Sequence, residues 1–357
     1  MKKKGKTLKI IKNIVFAVLI LFAVLLTGFF LVRAIGKAIY SKTPEGGINE
    51  SMYIDVNGTK QWINIYGEDI NNPVLLYLHG GPGSATSDID YAFTRKWADV
   101  YTVVTWDQRN CGKSYDAAQN DIVLTRDLFL TDGREVTEFL LDYLMKDKIT
   151  ILGHSWGSIY GANLVLEYPE YYDCFIGTGQ LVDYLENEQA FKQEAIIWAE
   201  GDEETYELIN QLTPDHVTMD HITARNAIMQ KYGYDMMVNG SDYNLITTII
   251  FNPNYSIIDW INYFKRDMSV YLDFFASDEF ASLSLKDRVN YQVPFYNING
   301  DQDYQTNYKL AQEYFEEVNA PYKQMYYMKN MTHGLLESDS EGFSEIVHQI
   351  AETEKAR

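Results

Sequence analysis

A serine becomes a nucleophile only where its surroundings expose the hydroxyl and a base can take the proton. Gly153-His154-Ser155-Trp156-Gly157 meets the first condition. Residues 148–152 before it form an apolar run that predicts a short buried strand, and residues 158–166 after it predict a helix ending near Pro169. A strand that turns straight into a helix leaves no room at the bend. Glycines two residues before and two after Ser155 are what that crowding demands. The turn lifts the hydroxyl out of the sheet, over the positive end of the following helix.

The base and its orienting acid should follow in the chain order Ser, acid, His. Of the six histidines, His79 and His154 belong to a glycine loop and to the turn itself, ahead of any such acid. His216 and His221 fall in a segment that reads as an insertion, and His348 sits within a final helix whose ordinary role is surface. His333, next to Gly334 on a loop after a late strand, is the expected base. Asp301 and Asp303 share the loop after residues 293–299; spacing from Gly300 favours Asp303 and leaves Asp301 as a turn residue. Glu337 is a third candidate. Two backbone N–H groups must face the developing oxyanion, and losing one typically costs about 3–4 kcal/mol. The amide of Trp156 is one, and Gly81, in the Gly80-Gly81-Pro82-Gly83 run after an apolar strand at 74–78, is the other.

These residues need a scaffold. Asn57-Gly58 between two alternating runs predicts a hairpin. Strands at 74–78, 102–106, 148–152 and 174–177 alternate with helical stretches, which predicts a mostly parallel sheet with helices on both faces. The alternation stops near Asp183 and resumes near Val293. Residues 183–285, acidic at first and then rich in aromatic and Met side chains, read as a helical cap over the carboxyl edge of the sheet, with most aromatics packing the cap's own core. The sheet domain then comprises residues 51–182 and 286–357. Asp107-Gln108-Arg109 reads as a buried Asp–Arg tie bracing the site. Cys111 has no base near it in sequence and is set aside as a nucleophile; with Cys174 it is expected as a free, partly buried thiol, and a disulfide scaffold is excluded.

The chain of 357 residues has net charge −20, yet residues 1–43 carry nine Lys or Arg and no acid, so the other 314 carry −29. Charge of that sign repels phosphate backbones and argues against nucleic-acid binding; it reads as a solvated surface. Residues 13–32 are uncharged and long enough to cross about 30 Å of hydrocarbon. Six lysines precede that run and three basic residues follow it, so a basic tail (1–12) stays cytoplasmic, residues 13–35 form a single-pass anchor, 36–50 a linker, and the rest is extracytoplasmic. The run is longer than a signal-peptide core and no A-x-A site follows, which disfavours cleavage.

His79-Gly80-Gly81-Pro82-Gly83, Asp107-Gln108-Arg109-Asn110-Cys111-Gly112-Lys113-Ser114 and Gly153-His154-Ser155-Trp156-Gly157 together resemble the prolyl iminopeptidase family of α/β-hydrolases. Gly300-Asp301-Gln302-Asp303 and His333-Gly334 are similar to that family's acid and base. The resemblance runs from about Met52 to the end and is weak in the cap. It implies an α/β-hydrolase fold and a serine hydrolase that removes an amino-terminal residue, often proline, from a peptide through an acyl-enzyme, without metal or organic cofactor. By the same resemblance Asp303 is the acid and Gly81 an oxyanion donor. Asn110 stands where the family has Gly, and the cap glutamates that would hold a substrate ammonium have no recognisable context among Glu186, Glu188, Glu194, Glu200, Glu203 and Glu204. An esterase with a lipophilic cap is the alternative reading, and a silent binding protein on the same fold a remote one.

Overall fold

The computed structural model describes residues 2–357 other than His216, Val238 and Asn239. His216, assigned from sequence to the inserted segment, thus lies outside the described residues. The chain opens with α1 (Lys2–Tyr40), then β1 (Ile48–Val56), β2 (Thr59–Gly67), β3 (Val74–Leu78), α2 (Tyr91–Thr94), β4 (Thr102–Asp107), α3 (Arg126–Tyr143), β5 (Ile149–His154), α4 (Trp156–Glu167) and β6 (Tyr172–Thr178). Among the described residues seven helices follow without a strand: α5 (Tyr184–Trp198), α6 (Glu203–Ile209), α7 (Met219–Tyr232), α8 (Leu245–Phe251), α9 (Ile257–Lys265), α10 (Ser269–Phe275) and α11 (Asp278–Ala281). The sheet resumes with β7 (Phe295–Gly300), α12 (Tyr308–Glu317), β8 (Lys323–Met328), α13 (Leu335–Ser338) and α14 (Ser340–Ala356).

Eight strands form one sheet in the order β1-β2-β4-β3-β5-β6-β7-β8. The β1–β2 and β2–β4 pairs are antiparallel and the rest parallel, as the alternation of strand and helix requires. Asn57 and Gly58 both take positive φ, 44° and 77°, the backbone a two-residue hairpin needs. Strands β3, β4, β5 and β7 are buried at every position because helices cover both faces. One face packs on α3 and α4 through Phe129, Val136, Leu140, Ile159 and Tyr160. The other packs on α2 and α14 through Phe93, Phe343, Val347 and Ile350.

Two features depart from the sequence reading. The apolar helix does not end in a linker at residue 36: residues 36–40 continue α1 and Ile48 already opens β1, so the connection is only residues 41–47. The Arg33 guanidinium, buried, donates to the carbonyl oxygens of Ile250 (3.0 Å) and Tyr255, and Gly36 faces the Phe251 ring. These contacts hold the end of α1 against α8 and favour helix over loop there. Within α1, Lys9–Tyr40 is long and apolar enough to cross a membrane.

The aromatics of the inserted segment also divide differently. Helices α5–α7 have a small core of their own, built on Phe191, Ala195, Ile209, Ala224 and Ile228. Tyr271, Phe274 and Phe280 instead join the core of the sheet domain, where Phe274 meets Phe129 and Trp156 at ring distances of 5.4 and 5.8 Å. The second half of the segment therefore packs as part of the sheet domain rather than as a detached layer.

Candidate active site

Ser155 occupies the single residue between β5 and α4, at φ 57° and ψ −121°. Backbone of that kind costs a non-glycine residue about 1–3 kcal/mol and persists only where its surroundings impose it. They do: a Cβ on Gly153 would lie 2.1 Å from Gly157 O, and one on Gly157 would lie 2.1 Å from Leu78 O. The Ser155 N–H donates to Thr178 O at 3.0 Å, fixing the turn to β6. Trp156 opens α4, so its N–H has no intrahelical acceptor. Its indole donates to Gln108 Oε1 at 3.0 Å and its ring packs on Phe129, which pins the first turn of α4.

Across from Ser155 runs the glycine loop after β3. A Cβ on Gly80 would come within 3.1 Å of Ser155 Cβ, and Gly81 has φ 118°, which only glycine adopts without strain. The loop is held from below by Gln108, whose N–H donates to His79 Nε2 and whose amide donates to His79 O, each at 3.2 Å. Gln108 thus links the glycine loop to Trp156.

The loops after β7 and β8 bring Asp303 and His333 together. His333 Nδ1 donates to Asp303 Oδ2 at 2.8 Å, with both residues buried. The other carboxylate oxygen accepts the N–H groups of Gln305 (2.9 Å) and Thr306 (3.0 Å), and the Thr306 hydroxyl donates to Oδ2 at 3.0 Å. Burial alone would raise the Asp303 pKa, but the His333 charge and these donors outweigh it and hold the carboxyl below its usual range. Asp301 instead accepts the Asn330 N–H at 2.6 Å and braces the turn after β8. The His333 ring lies against Gly179, where a Cβ would be 2.9 Å from Cε1. Its Nε2 is buried and has no hydrogen-bond partner among the described residues. Ser155 and His333 both abut the Thr178-Gly179 turn, without a hydrogen bond between Oγ and Nε2 among the described residues. Such bonds are often loose until substrate closes them.

The other described histidines are engaged elsewhere. Burial lowers His79 to about 4 and His154 to about 3. His79 Nδ1 meets Gly80 O, and His154 Nε2 donates to His333 O at 3.0 Å, steadying the loop. His221 contacts Glu188, and His348 contacts Asp99.

The tie expected within Asp107-Gln108-Arg109 is built otherwise. Arg109 pairs with Asp132 of α3, through Nε at 2.6 Å and Nη2 at 2.7 Å. Asp107 accepts from the Ser87 hydroxyl (2.8 Å) and the Lys113 N–H (2.7 Å), and burial pushes its carboxyl up to about 7. Two acids on different elements replace one local pair because Arg109 points away from β4 toward α3. Asn110 adopts φ 52°, which Asn tolerates better than most residues, so it stands in for glycine there. Cys111 and Cys174 are free and fully buried; Cys111 Sγ lies 3.5 Å from His79 Nε2, but burial drives the thiol pKa well above its usual value.

The acids of the inserted segment are mostly spoken for. Glu186, Glu194 and Glu204 pair with Lys286, Lys309 and Lys231. Glu188 is buried against Arg225 (2.9 Å) and His221 (3.0 Å); burial raises its pKa, and Arg225 and His221 more than reverse this. Arg225 also donates to Tyr304 O (3.1 Å) and Gln305 O (2.9 Å), clamping the loop that carries Asp303. Glu337, one turn past His333, is buried with Oε2 unpartnered among the described residues, and burial raises its pKa. Sequence reasoning missed Thr306, Gly179, Arg225 and this setting of Glu337. Only Thr306 had a signal, a hydroxyl three residues after an acid in a turn. Among the described residues no group of three or more His, Cys, Asp or Glu could hold a metal ion.

The chain and its fold have counterparts among known proteins. A protein of Bacillus subtilis (strain 168) named Probable aminopeptidase YbaC is 26% identical over 300 residues, covering 78% of this chain and 89% of that one. The Proline iminopeptidase of Neisseria gonorrhoeae is 34% identical over 123 residues, which are 34% of this chain and 36% of its own. The crystal structure of the Proline iminopeptidase of Mycobacterium smegmatis shares the fold, with TM-score 0.59 at 18% identity, over 85% of this chain and 98% of that one. Residues 73–317, more than half of the chain, match the family described as alpha/beta hydrolase fold. With its eight-stranded sheet, its strained turn between β5 and α4 and its inserted helices, the chain belongs to the alpha/beta hydrolase fold family.

Proposed function

We propose that this protein is a membrane-anchored serine hydrolase that removes amino-terminal residues from peptides. Ser155 Oγ gives its proton to His333 Nε2 and bonds to the substrate carbonyl carbon. The Asp303 carboxylate keeps the proton on Nδ1 and stabilises the imidazolium. The amides of Gly81 and Trp156 receive the oxyanion. The C–N bond breaks, the leaving amine takes the proton from His333, and water then hydrolyses the Ser155 ester by the same route in reverse. The observation that carries this chemistry is the buried 2.8 Å Asp303–His333 bond, with His333 Nε2 unpartnered among the described residues and both His333 and the strained Ser155 set against the Thr178-Gly179 turn.

The aminopeptidase assignment draws on the named relatives and on Glu337. A substrate with a free α-amino group presents a cation, and the glutamates of α5 and α6 that could meet it are paired with Lys, Arg or His or lie exposed. Glu337 is buried beside His333 with Oε2 unpartnered among the described residues; burial favours its neutral form, and an ammonium bound against it would draw the proton off and supply the missing ion pair. The residues up to Lys12 then lie in the cytoplasm, residues 13–35 of α1 cross the membrane, and residues 51–182 and 286–357 with the cap, 183–285, stand outside.

The test is turnover of amino-acid arylamides and short acyl esters by the full chain in detergent, beside Ser155→Ala and Glu337→Gln. Arylamide turnover that vanishes in Ser155→Ala and shows a raised KM in Glu337→Gln, with any ester turnover spared in the latter, supports the proposal. Ester turnover alone makes the protein an esterase. No Ser155-dependent turnover and no labelling by a fluorophosphonate refutes the hydrolase.

A further inference from the structure

Helix α9 presents an apolar stripe to the outside. Ile257, Ile258, Ile261 and Phe264 recur at i, i+1, i+4 and i+7, and all four are exposed, Ile258 by 68% and Phe264 by 79%. Trp260 and Tyr263 flank Phe264, with ring distances of 6.3 and 5.6 Å. Lys265 is exposed at the carboxyl end. Ile246 on α8 is 70% exposed as well. A soluble surface seldom gathers this much apolar area without a partner.

The partner follows from position. Arg33, the first charge after the uncharged stretch of α1, donates to Ile250 O at the end of α8 and to Tyr255 O just before α9. Lys113 joins the same corner, donating to Asn254 O (2.8 Å) and pairing with Asp259 of α9 (3.2 Å). The apolar stripe therefore begins beside the point where α1 would leave a bilayer. Trp and Tyr with a terminal Lys, next to long aliphatic side chains, make up the chemistry of the headgroup boundary.

We infer that α9, with the exposed edge of α8, lies in the headgroup region of the bilayer that α1 crosses, so that a lipid surface is a binding partner of the inserted segment. This rests on the reading of α1 as a membrane helix. The contact also reaches the site: Asn252 donates to Ser87 O (2.9 Å) and Asp88 O (2.8 Å), and the Tyr255 hydroxyl bonds Ser87 Oγ at 2.9 Å. Ser87 in turn donates to Asp107. Lipid contact at α8 and α9 thus steadies the chain that continues from the glycine loop.

The experiment uses the full chain reconstituted into phosphatidylcholine–phosphatidylglycerol vesicles, with an environment-sensitive fluorophore on single introduced cysteines. The native thiols are fully buried and stay unlabelled. The positions are Phe264→Cys on α9, Phe22→Cys within α1 and Val123→Cys, which is exposed elsewhere on the sheet domain. Blue-shifted emission at 264, quenched by lipids carrying a spin label near the headgroup, with 123 remaining aqueous, supports the inference. Aqueous emission at 264 with lipid quenching at 22 overturns it and leaves the anchor standing. A blue shift at 264 without lipid quenching also overturns it, in favour of a second protein copy on that face. Aqueous emission at both 22 and 264 removes the anchor and the inference together.

Discussion

Replacing Asp303 by Asn tests the assignment of the acid most directly, because the surrounding donors dictate how the amide must sit. The backbone N–H groups of Gln305 and Thr306 both point at Oδ1, so the carbonyl oxygen of the new amide must take that place. Turning the amide over would leave the buried Thr306 N–H and the half-buried Gln305 N–H facing an NH₂, at about 1–3 kcal/mol for a buried group. The NH₂ is therefore forced to the Oδ2 position, where it donates to His333 Nδ1. The imidazole proton moves to Nε2, and the nitrogen that should accept the Ser155 proton no longer can. A wrong tautomer in such a triad costs about 10⁴-fold in kcat, about 5 kcal/mol at 1.36 kcal/mol per tenfold. The assay is kcat and KM for a proline arylamide, with thermal melting of each variant to show that it is folded. Asp301→Asn, which alters only the contact to Asn330 N–H, should stay within a few-fold of the native enzyme. If Asp303→Asn keeps kcat within tenfold while folded, or if Asp301→Asn carries the loss instead, the tautomer argument is wrong.

Further outcomes follow from the supports of the site. The Asp107 carboxyl holds its proton to about 7 in the folded chain, whereas an unfolded Asp releases it near 3.9. The native state thus binds the extra proton between those values, so this group's contribution to stability falls as pH rises from about 4 to 7. The melting temperature of Asp107→Asn should lose that slope relative to the native chain, and identical slopes would remove the assignment. Gly157→Ala drives a methyl into Leu78 O, a backbone atom that cannot turn aside, and should cost about 3 kcal/mol or more in urea unfolding. Arg109→Ala leaves Asp132 buried with Gln61 (3.0 Å) and Asn57 (3.1 Å) as its remaining donors among the described residues; a loss of about 3–5 kcal/mol is expected. Since Arg109 does not face Ser155, kcat/KM of the folded fraction should be nearly unchanged, and a selective loss of activity would make it part of the site.

What was readable from sequence is what local crowding imposes. Gly153 and Gly157 announced the turn at Ser155 because only a missing Cβ lets the strand meet the helix, and the clash distances bear out that crowding. The succession of strands along the chain and the break near Asp183 followed from apolar runs and their lengths. Contacts between distant elements were not readable in this way. Arg109 lies two residues from Asp107 but pairs with Asp132, since the direction of a side chain leaving β4 is set by the sheet and not by sequence separation. Glu188 looked like one acid in a solvated row until α7 brought Arg225 against it. The end of α1 looked like a linker because the carbonyls of Ile250 and Tyr255 that accept from Arg33 lie more than two hundred residues away.

That last contact bears on the proposed anchoring of the chain. From Arg33 to Tyr40 the helix is unbroken and climbs about 1.5 Å per residue, so Tyr40 lies roughly 10 Å along the axis from Arg33. With α8 locked to the same turn of α1, the attachment works as a ruler where a leash was expected. A leashed domain sweeps a hemisphere and meets its substrates by volume. On the proposed anchoring, a ruled domain keeps Ser155 at a fixed height above the bilayer, and the substrates it meets are those that travel in that plane.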